Sequence, residues 1–280
     1  MSTSRSALTR IDGGSEFRGF FGMLGVELRI WFPWRVLVLT LAGMGVFASI
    51  YLPWRLTNTN RLGPLILFAM ALWMVVLLIA TISISEGTVL GDIERGTASW
   101  LVGMPIGRPA VIVAKFAASA VGMSAAVFLT GGLFYPLLKS ASQSGIVDFS
   151  VGQLLEVTSA PIGNWGAYAS MPELGTYLSM LTAISVLVTF LVAVMVALGT
   201  MIRSRTAVFG LGIVVVGGLV AGWFGAREAL EASPVGLVGA LSEGIQNRPM
   251  TVGVPAVATI ALSLVLVAVA AWRFQRRDLR

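Results

Sequence analysis

Six apolar runs, each long enough to cross the hydrocarbon core of a bilayer, dominate this chain and leave it few ways to fold. They fall at 36–52, 63–85, 110–138, 177–202, 206–224 and 252–272. A helix needs about 20 predominantly apolar residues to span that core, and somewhat fewer where the bilayer thins. Inside lipid every backbone amide must find its partner within the segment, so these runs form helices. Charged residues make up 11% of the sequence, well below the share of about a quarter in a soluble domain. The expected fold is an all-α polytopic membrane protein with six transmembrane helices.

An even number of spans puts both termini on one side. That side collects most of the 19 Lys and Arg, leaving only Arg55, Arg61, Lys139, Arg227 and Arg248 opposite. Because basic residues are retained in the cytoplasm, both termini are expected there, in a multi-pass cell-membrane protein. The positive charge is spread over loops and ends rather than packed in one block, so no nucleic-acid partner is expected. Cysteine and histidine are absent, which removes thiol nucleophiles, imidazole bases and the commonest zinc ligands.

Residues 1–14 are small and polar and read as a flexible cytoplasmic tail, with no apolar core behind their charges to make a signal peptide. The segment 15–35 reads as an N-terminal interfacial helix capped by Ser15. Phe17, Phe20, Phe21, Leu24, Leu28 and Trp31 form its apolar stripe, and Pro33 marks the bend into the first span. A first span starting earlier would carry Glu27 and Arg29 into lipid.

The most polar interruption lies between the second and third runs, at 83–115. Ile93, Thr97, Trp100, Leu101 and Met104 recur at helical spacing on one side, with Asp92, Glu94, Arg95 and Ser99 on the other. Pro105 ends this amphipathic helix, and Arg108-Pro109 opens the next apolar run. Glu94-Arg95-Gly96-Thr97, Leu101, Pro105-x-x-Arg108 and Lys115 together resemble the cytoplasmic loop of the ABC type-two exporter permeases. The family pattern has a longer spacer before its Gly-Thr and a Ser where Gly107 stands.

The resemblance implies that the loop 86–109 carries a cytoplasmic coupling helix, through which Asp92, Glu94, Arg95, Thr97, Trp100, Leu101, Pro105 and Arg108 meet an ABC ATP-binding subunit. It also implies two copies of that subunit, holding ATP and Mg, and a second permease chain. A homodimer in the membrane lipids is the expected form, with outward transport of a drug, antibiotic, lipid or peptide. Short re-entrant helices are implied within the outer loop 225–251. The other outer loop, 139–176, is expected to cap the third and fourth spans.

Independent arguments point the same way. No Gly-x-x-x-x-Gly-Lys-Ser/Thr phosphate loop occurs, since neither Lys115 nor Lys139 follows a glycine, so no ATP hydrolysis or cofactor is expected in this chain itself. The spans hold no carboxylate near mid-membrane. Lys115, the one charge inside a run, is expected to snorkel to the inner interface. Glu86 is expected either to pair with Lys115 or Arg108 or to stand as a helix-end carboxylate in headgroup water. A carrier driven by ions usually needs such groups at the midplane, so the energy is expected from a partner.

Gly218 and Gly222 form a Gly-x-x-x-Gly pattern expected to pack a neighbouring helix. Gly131, Gly132 and Pro136 are candidates for a kink, and Phe68, Trp73, Phe128 and Phe134 for an apolar pathway lining. Two other classes stay open: a membrane-embedded enzyme using Glu86, Asp92 and Glu94, and a non-transport scaffold or immunity protein.

Overall fold

The structure is a computed structural model that describes residues 19–57, 73, 75–83, 107–143, 174–202, 204–225, 230–245 and 250–276. The predicted coupling helix with Asp92, Glu94, Arg95, Thr97, Trp100, Leu101 and Pro105 lies outside these residues. So do Glu86, Phe68, the tail 1–14, Ser15 and most of the loop 139–176.

Every regular element among the described residues is helical. They are α1 (Phe20–Ile30), α2 (Val36–Thr57), α3 (Arg108–Gln143), α4 (Leu174–Met201), α5 (Arg205–Gly225), α6 (Pro234–Ile245) and α7 (Gly253–Arg276), with a further helical stretch at 75–83. Five helices are long and apolar enough to cross a membrane, the first being α1 and α2 taken together. The second expected span, 63–85, is described only at 73 and 75–83.

The helix starts follow local chemistry. Arg108-Pro109 opens α3, where proline costs nothing because first-turn amides lack partners in any case. Ser204 and Ser233 cap α5 and α6, their hydroxyls accepting from the Ala207 and Val235 amides at 3.4 and 3.1 Å. α1 is described from Phe20, after Gly19 in the left-handed region at φ 81°.

Between α1 and α2 the chain passes through Trp31–Arg35, where Phe32 leaves helical geometry at φ −106° and ψ 133°. A residue before proline is pushed out of the α region by the pyrrolidine ring, so Pro33 accounts for the break. The break does not turn α1 across the bundle. Met23 packs on Val111 and Ala114, Glu27 meets Lys115, Trp31 lies on Gly122, Gly43 on Thr130 and Phe47 stacks on Phe134. Both partners advance together, so α1 and α2 run parallel to α3 along most of its length. Gly122 stands about 21 Å along α3 from Arg108, at 1.5 Å per residue, so the break sits well inside the bundle's height.

The remaining contacts set the other directions. Tyr177 donates to the Gly131 carbonyl at 2.8 Å, and Leu181 packs on the same glycine, so α4 starts at the far end of α3 and returns antiparallel. Arg108 Nη1 donates to the Gln275 carbonyl at 3.2 Å, which makes α7 antiparallel to α3 as well. Trp73 and Thr130 both lie against Gly43, whereas Ile82 packs on Met195 and Gly212 near the opposite end. The chain thus alternates in direction through α1–α2, 75–83, α3, α4, α5 and α7. α4 is the central helix, buried along its whole length from Tyr177 to Thr200.

Lipid is as apolar as a leucine side chain, so association of these helices rests on close packing rather than on hydrophobic transfer. Gly122 shows how close. A Cβ there would lie 2.2 Å from Trp31 Cε3, so the indole is seated directly on the α3 backbone.

Candidate functional site

Arg108, Arg273 and Arg276 lie at the end of the bundle where α1 and α3 start and α4 and α7 finish, with the Glu27–Lys115 pair further in on the α1–α3 seam. Arg108, the one residue of the expected coupling set that is described, opens α3 there and holds the last turn of α7 through the Gln275 carbonyl. A guanidinium at a helix C-terminus satisfies carbonyls that lack an intrahelical partner and meets the negative end of the helix dipole. Arg276, the last residue of α7, stacks over Trp272 one turn back, with its Cζ 4.2 Å from the ring centroid. Residues 83 and 107, which bracket the loop, both belong to this end, since Ile82 packs on Met195 within two turns of the α4 terminus.

Lys115 does not snorkel. Its side chain is buried, and Nζ lies 2.5 Å from Glu27 Oε1, itself buried on α1. Two charges that would each be costly in an apolar interior neutralise one another across the α1–α3 seam. The sequence offers Glu86 as a partner for Lys115 and makes Glu27 look unfit for a span, because neither Glu27 nor Lys115 signals the other over 88 positions. The signal that was available is that Glu27 and Trp31, one turn apart on α1, match the spacing of Lys115, Ser119 and Gly122 on α3. Trp31 Nε1 and Ser119 Oγ are buried in the same seam without hydrogen-bond partners.

The two expected packing glycines differ. A Cβ on Gly222 would lie 3.2 Å from Val235 Cγ2, so this residue is where α5 receives α6, whereas Gly218 has nothing within 4 Å. Of the proposed lining residues, Trp73 and Phe134 are core, both packed against Phe47, while Phe128 is exposed on the outer face of α3. Neither Gly131 nor Gly132 interrupts α3, which is helical from Arg108 to Gln143.

At the opposite end a cavity of about 700 Å³ lies between α6 and the start of α7, lined by Glu231, Gly239, Glu243, Met250, Gly253 and Pro255 among others. α6 itself is the helix expected within the outer loop 225–251, and its Leu237 and Leu241 face the core.

Compared with known proteins, the chain matches no family model and no curated protein. What stands is a helical membrane protein with five long apolar helices among the described residues, and a charged end formed around Arg108 and the last turn of α7, with the Glu27–Lys115 pair further in.

Proposed function

We propose that this chain is the transmembrane permease subunit of an ATP-driven exporter, moving a lipophilic or amphipathic molecule outward with energy from a separate ATPase subunit. The observation that carries the reading is the anchoring of the loop 86–109: the chain leaves and re-enters the bundle at the end where Arg108 holds α7 and α1 meets α3. A push on a helix in that loop is delivered straight into the rigid 36-residue α3. The resemblance of Glu94-Arg95-Gly96-Thr97, Leu101, Pro105 and Arg108 to the coupling loop of type-two exporter permeases supports the same assignment. Trp100 and Leu101 then seat in a groove of the ATPase, and Asp92, Glu94 and Arg95 make charged contacts at its rim.

Two such chains and two ATPases form the working unit, with ATP and Mg held by the ATPases. The test is to reconstitute the chain in liposomes with an ATP-binding subunit encoded beside it and to follow ATP hydrolysis. The parent chain is expected to bind the subunit and alter its rate. Glu94→Ala and Trp100→Ala are expected to abolish the effect while the helical signal is kept. Unchanged coupling in both variants would sink the assignment.

The buried Glu27–Lys115 pair gives a second reading one foothold, since ionisable groups inside a membrane bundle are also the mark of ion-coupled carriers. A proton gradient imposed across the same liposomes, without ATP, separates the two: substrate movement under the gradient alone favours the carrier.

A further inference from the structure

One side of α7 is exposed along the length of the helix. Val254, Val257, Val265 and Trp272 lie on it, Trp272 with half of its surface open, while Thr259, Val267 and Phe274 line the buried side. From Val254 to Trp272 this apolar strip is about 27 Å long at 1.5 Å per residue, which matches a hydrocarbon core of about 30 Å. Trp272 therefore stands where the apolar layer gives way to headgroups. Arg273 and Arg276 come next, one turn apart and both exposed. Arg108 fixes the same level independently, since it opens α3 and donates to the Gln275 carbonyl, so one span starts there as the other ends.

Positive charge prevails at this end. Among the described residues the carboxylates are Glu27, paired with Lys115, and Glu231 and Glu243 beside the cavity at the opposite end. In sequence, 277–280 adds Arg277 and Arg280 against Asp278, so the last span is followed at once by an excess of arginine. Arg276 Cζ lies 4.2 Å from the centroid of the Trp272 ring. Stacking engages the flat face of a guanidinium and leaves the N–H donors at its edge for an acceptor. We infer that the end of α7 is a binding site for an anionic phospholipid. Arg273 and Arg276 take the phosphate, Trp272 lies at the level of the glycerol, and an acyl chain follows the strip through Val265. A lipid fits better than a soluble anion, because an apolar strip as long as the membrane core leads straight to the two cations. Indole rings favour that boundary, and arginines gathered just past the end of a span draw anionic headgroups. The inference rests on the membrane-embedded fold and is independent of the exporter reading.

The experiment is native mass spectrometry of the purified full chain, titrated in detergent with phosphatidylglycerol or with phosphatidylcholine of the same acyl chains. The parent is expected to retain the anionic lipid with about tenfold preference. Arg273→Gln with Arg276→Gln is expected to lose most of that preference, and Arg276→Gln alone to lower it to about threefold. Arg29→Gln, which removes one exposed cation from α1, is expected to leave it unchanged. A melting curve for each variant checks that the fold persists, and Arg276→Gln carries the test if the double variant unfolds. Equal retention of the two lipids by the parent would overturn the site, as would an unchanged preference in the double variant or an equal loss in Arg29→Gln and Arg276→Gln. An unchanged preference together with a dimer peak that vanishes in the double variant would give the face to a second copy of the chain instead.

Discussion

Glu27 and Lys115, 88 residues apart in sequence, meet at 2.5 Å between α1 and α3, with both side chains less than a tenth exposed. A buried pair of this kind contributes less than its geometry suggests, because both charges lose hydration, yet removing one partner strands the other. Glu27→Gln or Lys115→Met alone is expected to destabilise the chain by about 3–5 kcal/mol, whereas Glu27→Leu with Lys115→Met recovers most of the loss. Reversible unfolding in mixed detergent micelles reads the difference. Single variants within about 1 kcal/mol of the parent would mean the pair is not buried as described.

Gly122 is the second contact of the same seam. An alanine there must push its methyl carbon into the Trp31 indole, whose ring atoms would stand 2.2–3.0 Å away. Since Trp31 is completely buried, it has no free space into which to turn, and the cost of Gly122→Ala is expected at about 1–3 kcal/mol. Gly45→Ala, with nothing within 4 Å of the added carbon, is the control and is expected to be neutral or mildly stabilising through lower chain entropy. The measurement is the melting temperature of each variant in one detergent.

The Gly-x-x-x-Gly pattern gives a sharper contrast. Gly222→Ile drives a branched side chain into Val235 and is expected to loosen α6 from α5, at a cost of about 1–3 kcal/mol. Gly218→Ile meets open space on the exposed side of α5 and is expected to leave the melting temperature of the single chain unchanged. Proteolysis of the 225–251 region reads the first effect. Equal cleavage in the two variants would remove the distinction between them.

What the sequence made legible follows from which interactions are local. The starts of α2, α3 and α7 fall within two residues of the expected 36, 110 and 252, because proline and the onset of apolar runs act within a few positions. The bend at Pro33 was readable for the same reason. Its place inside the bundle was not, since that depends on α3 lying alongside, and an amphipathic stripe on α1 suits a protein neighbour as well as a headgroup layer. Hydropathy weighs one residue at a time, so it sends Lys115 to the interface and cannot see Glu27. The glycine pair was visible as a pattern, but only the position of Val235 decides which glycine packs and which faces outward.

Trp73 and Thr130 pose the last test. Trp73 Nε1 and Thr130 Oγ1 are both buried without hydrogen-bond partners, and both lie within 3.2 Å of the point where a Gly43 Cβ would stand. Thr40 Oγ1, one turn before Gly43 on α2, is in the same condition. A lone buried donor costs free energy, whereas an apolar group of the same shape in its place costs little. Thr130→Val keeps the volume and removes the hydroxyl, so its stability is expected within about 0.5 kcal/mol of the parent, or above it. Trp73→Phe removes the N–H but also leaves a gap beside Phe47, so Thr130→Val is the cleaner probe. Unfolding in detergent with Thr40→Val, Thr130→Val and the double variant separates two cases. Neutral singles that add independently fit three groups with no shared partner, while a loss above about 1 kcal/mol in either single would require a hydrogen bond that the hydroxyl makes in the folded membrane protein.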